Sequence, residues 1–374
     1  MEEVLSGEER ERVEVVVGAR VDSMEAVSDR AHVVRVGLVG GGTAIVKRPR
    51  EVATGPGSQG VDDLRSLFLA ERAGLELLGA MPGSPAPGLL GVDDTADLLV
   101  MEDLPPGPSV ADLLLGDDPT AADEGVVELA RTLARVHGWS IGRESEYQAI
   151  RARVGLPVGA PQRWTNTAAG GIDALRAVAQ AVGVNVPAAF EDECLELVAK
   201  LAAGGWSRGY VHGDPCPDNT LVAEGRLRLI DYEHGNYASV LLDASYLVAP
   251  FPTCWCFGRL PEGLSARALA TYRTELAAFV PTAGDDGAWT EALLVTLASW
   301  ILARGRVITK AVENDGEWGT TTMRPRLLQW TDSFLSLSDS GSILPATRSV
   351  ITDLRKVLGD AWPDASTIGF PAFA

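Results

Sequence analysis

The sequence predicts an α+β protein in two parts, a small antiparallel β-sheet with one main helix and then a larger, mostly helical part. About the first hundred residues contain short apolar runs separated by glycine and proline, a pattern typical of strands. The run "PPGPS", Pro105 to Ser109, then forms a stiff linker. Beyond it, apolar residues recur mostly with helical spacing. We therefore expect an N-terminal lobe over residues 1–104 and a helical C-terminal lobe over residues 105–374.

Length and charge exclude several classes of protein. The 374-residue chain is 46% hydrophobic, enough for a sizeable core, and no run of about 18 apolar residues indicates a membrane span. Its first residues are acidic, whereas a secretory signal is basic and then apolar, so we expect a cytoplasmic protein. The net charge of −19 argues against nucleic acid as a partner. A cationic ligand and a merely acidic, soluble surface both fit that charge.

Cysteine is sparse, with Cys194, Cys216, Cys254 and Cys256 spread over the chain. Four thiols in so long a chain do not predict a disulfide framework, and "CWC" has a shorter spacing than most zinc knuckles. We expect Cys254 and Cys256 to pack in the core, with metal ligation or redox chemistry as the alternative.

Three apolar runs near the N-terminus are interpreted as strands: "VEVVV" (13–17), "AHVVRVGLV" (31–39) and "TAIVK" (43–47). The "GGG" at 40–42 lies between the last two and predicts a hairpin turn. A phosphate-binding glycine loop would need a helix directly after it, and none is predicted there.

A helix is predicted over residues 62–80, and its apolar stripe is interrupted by one acid. The stripe consists of Leu64, Leu67, Phe68, Leu75 and Leu78. Glu71 lies seven residues after Leu64, on the same face. A carboxylate there is costly unless a cation meets it, so a partner for Glu71 is expected.

The C-terminal part is predicted to be mostly helical. The helical segments are residues 124–139, 190–206, 289–312, 324–338 and 346–362. Between the first two, residues 143–170 contain Pro, Gly, Trp and Asn, and we interpret this stretch as irregular.

One short strand pair is predicted in the helical part, and it carries the most informative residues. "TLVA" and "LRLI" flank a three-residue loop centred on Gly225, which indicates a hairpin. Counting outward from Gly225 places Asn219 opposite Asp231, where an amide oxygen and a carboxylate would suit Mg²⁺. Asp214 lies on the loop that enters the hairpin, where its carboxylate can accept a proton from a hydroxyl.

The motif "HGDPCPDN" followed by "LIDYE" resembles the catalytic loop and metal-binding strand of the aminoglycoside phosphotransferase and choline kinase superfamily. The resemblance covers residues 13–247 and implies a bilobal protein-kinase-like fold. It implies ATP and Mg²⁺ as cofactors, Asp214 as the catalytic base, and Asn219 and Asp231 as metal ligands.

The resemblance also assigns roles in the N-terminal lobe. A strand lysine, here Lys47, would hold the nucleotide phosphates, and Glu71 would anchor that lysine. "LLVMEDL" resembles the strand and hinge that receive adenine through backbone groups near Glu102 and Leu104. Ser28 would lie in the loop over the phosphates, since no glycine-rich fingerprint is present.

Several side chains keep two interpretations. His212 orients the loop or takes part in catalysis, and Asp218 forms a turn rather than binding metal. Asp243 in "LLDASYL" braces the catalytic loop, as the resemblance implies, or caps a helix. Glu233 binds metal or substrate, or is exposed. Residues 250–261, with three aromatic side chains, line an acceptor pocket or form a buried aromatic corner.

The sequence therefore predicts a phosphotransferase whose partner is a small-molecule hydroxyl compound, such as an aminoglycoside or other antibiotic, an amino alcohol or a sugar. The alternative is a nucleotide-binding pseudokinase that acts as a scaffold. A protein kinase is disfavoured because no activation segment follows "LIDYE". The acceptor, the preference for ATP over GTP and the oligomeric state are left open.

Overall fold

The computed structural model describes residues 4–27, 32–50, 61–159, 163–251, 253–261, 263–337 and 343–374, and it confirms the α+β class. The chain divides into two compact units. The first unit comprises residues 1–107, 145–159 and 221–236, and the second comprises residues 108–144, 160–220 and 237–374.

A five-stranded antiparallel sheet forms the centre of the first unit, with strand order β1-β2-β3-β5-β4. Its strands are β1 (Val21–Ala26), β2 (Val33–Leu38), β3 (Thr43–Lys47), β4 (Leu89–Asp93) and β5 (Leu98–Glu102). Two helices precede or interrupt these strands, α1 (Gly7–Val17) and α2 (Val61–Leu78). The turn between β2 and β3 contains Gly40 to Gly42, all with φ between 95° and 101°, a backbone conformation that glycine adopts at low cost.

One face of this sheet packs on α1. The apolar core there contains Leu5, Val13, Val21, Val34, Val36, Ala44, Val46, Leu98 and Val100. Because side chains alternate along a strand, Lys47 lies on the face opposite Ala44 and Val46, where it meets α2. The alternation therefore places the only buried cation of β3 towards Glu71.

Residues 13–17 are helical, so the strand interpretation of "VEVVV" is wrong. The helix begins with a capping box, in which Ser6 and Glu9 each bond to the other's backbone amide, at 3.2 and 2.8 Å. It ends at Gly18, which is left-handed. Val13, Val16 and Val17 pack on the sheet at offsets of 0, 3 and 4, and these local signals outweigh the strand preference of valine.

The hairpin predicted around Gly225 is present, with β7 (Thr220–Ala223) paired to β8 (Arg226–Leu229). Its loop has two residues, Glu224 and Gly225, both with positive φ (53° and 71°), as in a type I′ turn. The predicted three-residue loop is therefore wrong, and positions counted across the hairpin from Gly225 are displaced by one.

The second unit is mostly helical. Its helices are α3 (Val110–Leu115), α4 (Pro119–Ser140), α6 (Arg163–Ala181), α7 (Phe190–Ala203), α8 (Leu241–Val248), α9 (Leu264–Ala277), α10 (Asp286–Ala303), α11 (Gly305–Glu313), α12 (Met323–Ser336) and α13 (Pro345–Ala361). Short strand pairs join β6 (Arg208–Val211) to β9 (Asn236–Ser239) and β10 (Glu317–Trp318) to β11 (Thr321–Thr322). Helix α5 (Glu144–Arg153) falls almost wholly in the first unit.

Two predictions about the helical part need correction. Residues 143–170, interpreted as irregular, contain α5 and the start of α6, with Gly155 and Gly159 in the left-handed conformation between them. The single helix predicted over 289–312 is two helices, bent by 48° at Arg304. Within the described ranges no single helix is long and apolar enough to cross a membrane, and only this bent pair, taken together, reaches that length and composition.

Candidate active site

The first unit buries an ion pair between β3 and α2. Lys47 Nζ lies 2.5 Å from Glu71 Oε2, and the two side chains are 10% and 3% exposed. The acid that interrupts the apolar stripe of α2 therefore has the cationic partner that its position requires. A second carboxylate shares the ammonium, because Asp231 Oδ1 also lies 2.5 Å from Lys47 Nζ. The contact with Asp231 was not foreseen from the sequence.

Burial and charge act against each other in this cluster. Burial raises the pKa of Glu71 to about 7 from an ordinary 4.5, although the Lys47 ammonium opposes the rise. Burial alone disfavours the Lys47 ammonium, but the carboxylates of Glu71 and Asp231 outweigh it and raise the pKa of Lys47. The lysine is therefore held as a cation although it is buried.

Asp231 stands at the end of β8 in a left-handed backbone conformation, with φ 66° and ψ 59°. Such a conformation is uncommon for residues other than glycine, and side chains held in it are often functional. Two residues later, Glu233 is buried and pairs with Arg50 at 2.8 Å. The interpretation of Glu233 as an exposed residue is therefore wrong.

In the second unit, Asp214 is held by a residue five positions further along its own loop. Asn219 Nδ2 donates to Asp214 O at 2.9 Å and approaches Asp214 Oδ2 at 3.4 Å. The side-chain nitrogen of Asn219 is thus used within the loop. The structure brings together two of the residues that the motif selected, a carboxylate and an amide.

Asp243 on α8 braces this loop through the backbone. Its carboxylate accepts hydrogen bonds from His212 N (2.7 Å) and Gly213 N (3.1 Å). It also contacts His137 Nε2 at 3.1 Å, and His137 Nδ1 contacts Tyr272 OH at 2.7 Å. Asp243 does not cap α8, whose N-cap residue is Val240.

The brace includes residues that sequence reasoning did not connect. His137 lies in "LARVHGW", and nothing in that stretch indicates that its ring meets Asp243. Tyr272 carried no motif at all. His212 Nδ1 accepts from Asp214 N at 3.4 Å, a contact that fits the orienting interpretation of His212.

Two further groups lie beside Asp214 Oδ1. Tyr246 OH approaches it at 3.5 Å and shares a 2.8 Å hydrogen bond with Thr253. Burial raises the pKa of Tyr246 well above its ordinary value, so its hydroxyl stays neutral beside the carboxylate. The Cys216 sulfur lies 3.2 Å from the same oxygen.

Cys216 and Cys254 form a disulfide, with Cα atoms 5.6 Å apart. The expectation that the cysteines form no disulfide is therefore wrong, whereas Cys254 is buried in the core, as expected. Chain separation hid this pair, because the two positions are 38 residues apart and spacing alone cannot show that the loop and the segment after α8 meet. Cys256 is free and buried, as expected, and burial raises its pKa to about 12.

The segment 250–261 contains buried aromatic side chains and an exposed one, so each of the two interpretations given above fits part of it. Phe257 is buried beneath Arg326, whose guanidinium lies 4.7 Å from the ring and donates to Cys254 O. Trp255 is 45% exposed, and its Nε1 donates to Asp218 Oδ2 at 2.8 Å. Among the described aromatic side chains of this segment, only Trp255 is exposed, and its hydrogen bond to Asp218 joins it to the loop that carries Asp214.

Glu102 is the last residue of β5 in the central sheet of the first unit, and Leu104 follows two residues later. Glu102 N donates to Gly88 O at 2.8 Å, and its carboxylate accepts from Arg228 at 2.8 Å. Leu104 is buried directly before the Pro-rich linker. Ser28 lies outside the described residues, and its assignment stays a prediction.

The oxygen atoms selected from the sequence fit a hard divalent cation. Asn219 offers an amide oxygen and Asp231 a carboxylate, and Mg²⁺ prefers such donors and usually binds one or two carboxylates. No thiol or imidazole belongs to this donor set, which makes zinc a poor fit.

Known proteins resemble the chain in sequence pattern and in structure. The model of the phosphotransferase enzyme family matches residues 25–279. The streptomycin–ATP complex of APH(2")-IIa aligns at 12% identity with a TM-score of 0.51, covering 88% of this chain and 98% of that one. The alignment shows a shared fold.

Two other solved structures align more loosely. Macrolide 2'-phosphotransferase MphH from Brachybacterium faecium gives 15% identity and a TM-score of 0.44, over 82% of this chain and 98% of that one. Choline kinase from Cryptosporidium parvum gives 13% identity and a TM-score of 0.47, over 88% and 93%. No curated protein sequence matches the chain.

Proposed function

Because the chain belongs to the phosphotransferase enzyme family, small-molecule kinases that phosphorylate a hydroxyl group, we propose that it transfers the γ-phosphate of ATP to such a hydroxyl with the help of Mg²⁺. The N-terminal lobe of residues 1–104 binds the nucleotide, and the helical lobe of residues 105–374 binds the acceptor. One observation carries the proposal: the Asp214 carboxylate is held by Asn219 and by a loop whose backbone Asp243 fixes.

Lys47 holds the phosphates of ATP, and Glu71 positions its ammonium. In the structure the Lys47 ammonium also pairs with Asp231. When the nucleotide binds, its phosphate oxygens compete with Asp231 for the ammonium. Asn219 and Asp231 hold Mg²⁺, which neutralises charge on the phosphates when bound. Backbone groups near Glu102 and Leu104 receive the adenine.

Asp214 accepts the proton of the acceptor hydroxyl as that oxygen attacks the γ-phosphorus, and ADP leaves. His212 and Asp243 act through the loop, because both contact its backbone. Fixed positions and charge neutralisation supply most of the rate in phosphoryl transfer, so this rigidity is the main contribution of the second unit.

The acceptor belongs to the compounds that related kinases use, an antibiotic such as an aminoglycoside, an amino alcohol or a sugar. Specificity in such enzymes depends on side chains outside the catalytic loop. In this chain, Trp255 and Tyr246 are two such side chains, since they contact Asp218 and Asp214 of that loop.

The replacement Asp214→Asn tests the proposal. We expect acceptor-stimulated ADP release to fall by about 10²- to 10⁴-fold, the usual contribution of a general base, while the affinity for Mg-ATP changes little. The matched control is Asp218→Asn on the same loop, which makes the same change of carboxylate to amide and leaves an oxygen that can accept from Trp255 Nε1. Turnover in this control should stay within a few-fold of wild type.

A screen of aminoglycosides, other antibiotics, amino alcohols, sugars and nucleosides would supply the acceptor. Near wild-type turnover in Asp214→Asn contradicts the role of the base. Binding of Mg-ATP with no turnover on any acceptor contradicts the enzyme and favours a scaffold.

A further inference from the structure

Arg304 lies at the break between α10 and α11, between two tryptophan rings. Its guanidinium carbon is 5.5 Å from the ring centre of Trp300 and 5.3 Å from that of Trp330. Both tryptophans are buried. The rings hold the cation by cation–π contact, and they remove water from much of it.

In the part of the chain that the structure describes, no acidic side chain forms an ion pair with Arg304. Within the same ranges, its buried Nε has no hydrogen-bond partner. Trp330 Nε1 also has no hydrogen-bond partner among the described residues. The Trp330 side chain is only 4% exposed, so water does not replace that partner. Two unused donors in adjacent side chains are costly in a folded protein, so a ligand that accepts hydrogen bonds would stabilise both.

Other stacked arginines of the second unit are bonded differently. Arg324 lies over Trp362 and donates to Ala311 O at 2.9 Å, and Arg273 lies over Trp289 and donates to Ala283 O at 2.8 Å. The chain has 51 acidic residues, so the missing partner of Arg304 does not reflect a shortage of carboxylates. Burial also lowers the pKa of Arg304, as expected for a desolvated cation.

The position of Arg304 connects it to the candidate base. The Trp300 ring packs on Tyr246 with centres 5.5 Å apart, and Tyr246 OH is 3.5 Å from Asp214 Oδ1. The Trp164 ring lies tilted against Trp300, with centres 4.0 Å apart. Tyr246 and Trp300 therefore form a chain of ring contacts that leads from Asp214 to the Arg304 guanidinium.

We propose that Arg304 binds an oxyanion of the acceptor, a carboxylate or a phosphate group on the molecule whose hydroxyl reaches Asp214. This inference rests on the proposed kinase function. It changes the acceptor class, because it requires a hydroxyl compound that carries an acidic group and excludes simple aminoglycosides and amino alcohols. A polycationic acceptor would place positive charge against an uncompensated guanidinium, even though the net charge of the chain is −19.

Binding of matched aromatic probes tests the site without requiring turnover. The probes are 4-hydroxyphenylacetate, its neutral amide, the cation tyramine and phenyl phosphate, titrated by tryptophan fluorescence with Mg-ADP present to fill the nucleotide site. We expect the two anions to bind on the order of tenfold or more tightly than the amide, and tyramine to bind most weakly. The ratio between the two anions separates a carboxylate site from a phosphate site.

Three variants identify the residue. Arg304→Gln should abolish the preference for anions, Arg304→Lys should keep part of it, and Arg324→Gln should leave it intact because that cation already has a backbone partner. Melting temperatures check that each variant is folded. Equal affinity across the charge series, strongest binding of tyramine, or a retained preference in Arg304→Gln overturns the inference.

Turnover separates this inference from the proposed function. With a hydroxy-acid acceptor found by ADP release, Arg304→Gln should raise KM at least tenfold with kcat within a few-fold, and added guanidinium ion should restore part of the loss. Anion binding without any turnover supports the site and contradicts the kinase. Turnover on cationic acceptors that Arg304→Gln does not alter supports the kinase and contradicts the anion site.

Discussion

The buried ion pair on β3 gives a quantitative prediction about pH. Replacing Glu71 by Gln keeps the shape of the side chain and removes a group that titrates. The shift of the Glu71 pKa from 4.5 to about 7 means that folding favours its protonated form by about 3 kcal/mol. Lys47, Asp231 and Glu233 act on this carboxylate electrostatically and are common to both proteins.

The sign follows from the direction of the shift. Because the pKa of Glu71 is higher in the folded than in the unfolded chain, its contribution to stability is complete below about pH 4.5 and is lost as the pH rises through about 7. The free energy of unfolding of the wild type should therefore fall relative to that of Glu71→Gln, by up to about 3 kcal/mol over this range.

Urea unfolding of both proteins between about pH 5 and about pH 8 measures the difference. Ser66→Gln is the control, since it introduces the same amide on the exposed face of the same helix. It should shift the whole curve by a constant amount. Parallel curves for wild type and Glu71→Gln, or a difference that grows in the opposite direction, would refute the assignment of a buried, destabilised carboxylate.

Two further predictions concern the second unit. Cys254→Ser removes the disulfide to Cys216 and should cost up to about 4 kcal/mol, from loop-closure entropy over 38 residues; the difference should vanish when both proteins are measured in reductant, and a difference that persists there contradicts a disulfide origin. Gly171→Ala places a methyl group 1.8 Å from Leu302 O and should destabilise by about 1–3 kcal/mol, whereas the exposed Gly170→Ala, with nothing within 4 Å, should not. Equal melting temperatures for the two alanine variants would show that α6 does not pack this closely on α10.

Local patterns were reliable where a residue's role depends on its neighbours in the chain. The glycines at 40–42 predicted a turn, and residues 43–47 predicted a strand. The motif around Asp214 selected that aspartate, Asn219 and Asp231. The same reasoning failed at "VEVVV", where a capping box and the spacing of Val13, Val16 and Val17 decided the element. It also failed by one residue at the turn of Glu224 and Gly225.

The sequence by itself determined the fold class and selected the residues of the candidate site, because a misplaced acid at Glu71 and a closely spaced loop motif have few physical explanations. Only the tertiary structure decided which distant residues meet. His137 reaches Asp243 across 106 positions, and Cys216 reaches Cys254. The missing partner of Arg304 is likewise a property of packing, since a sequence lists its charges but not the distances that let them pair.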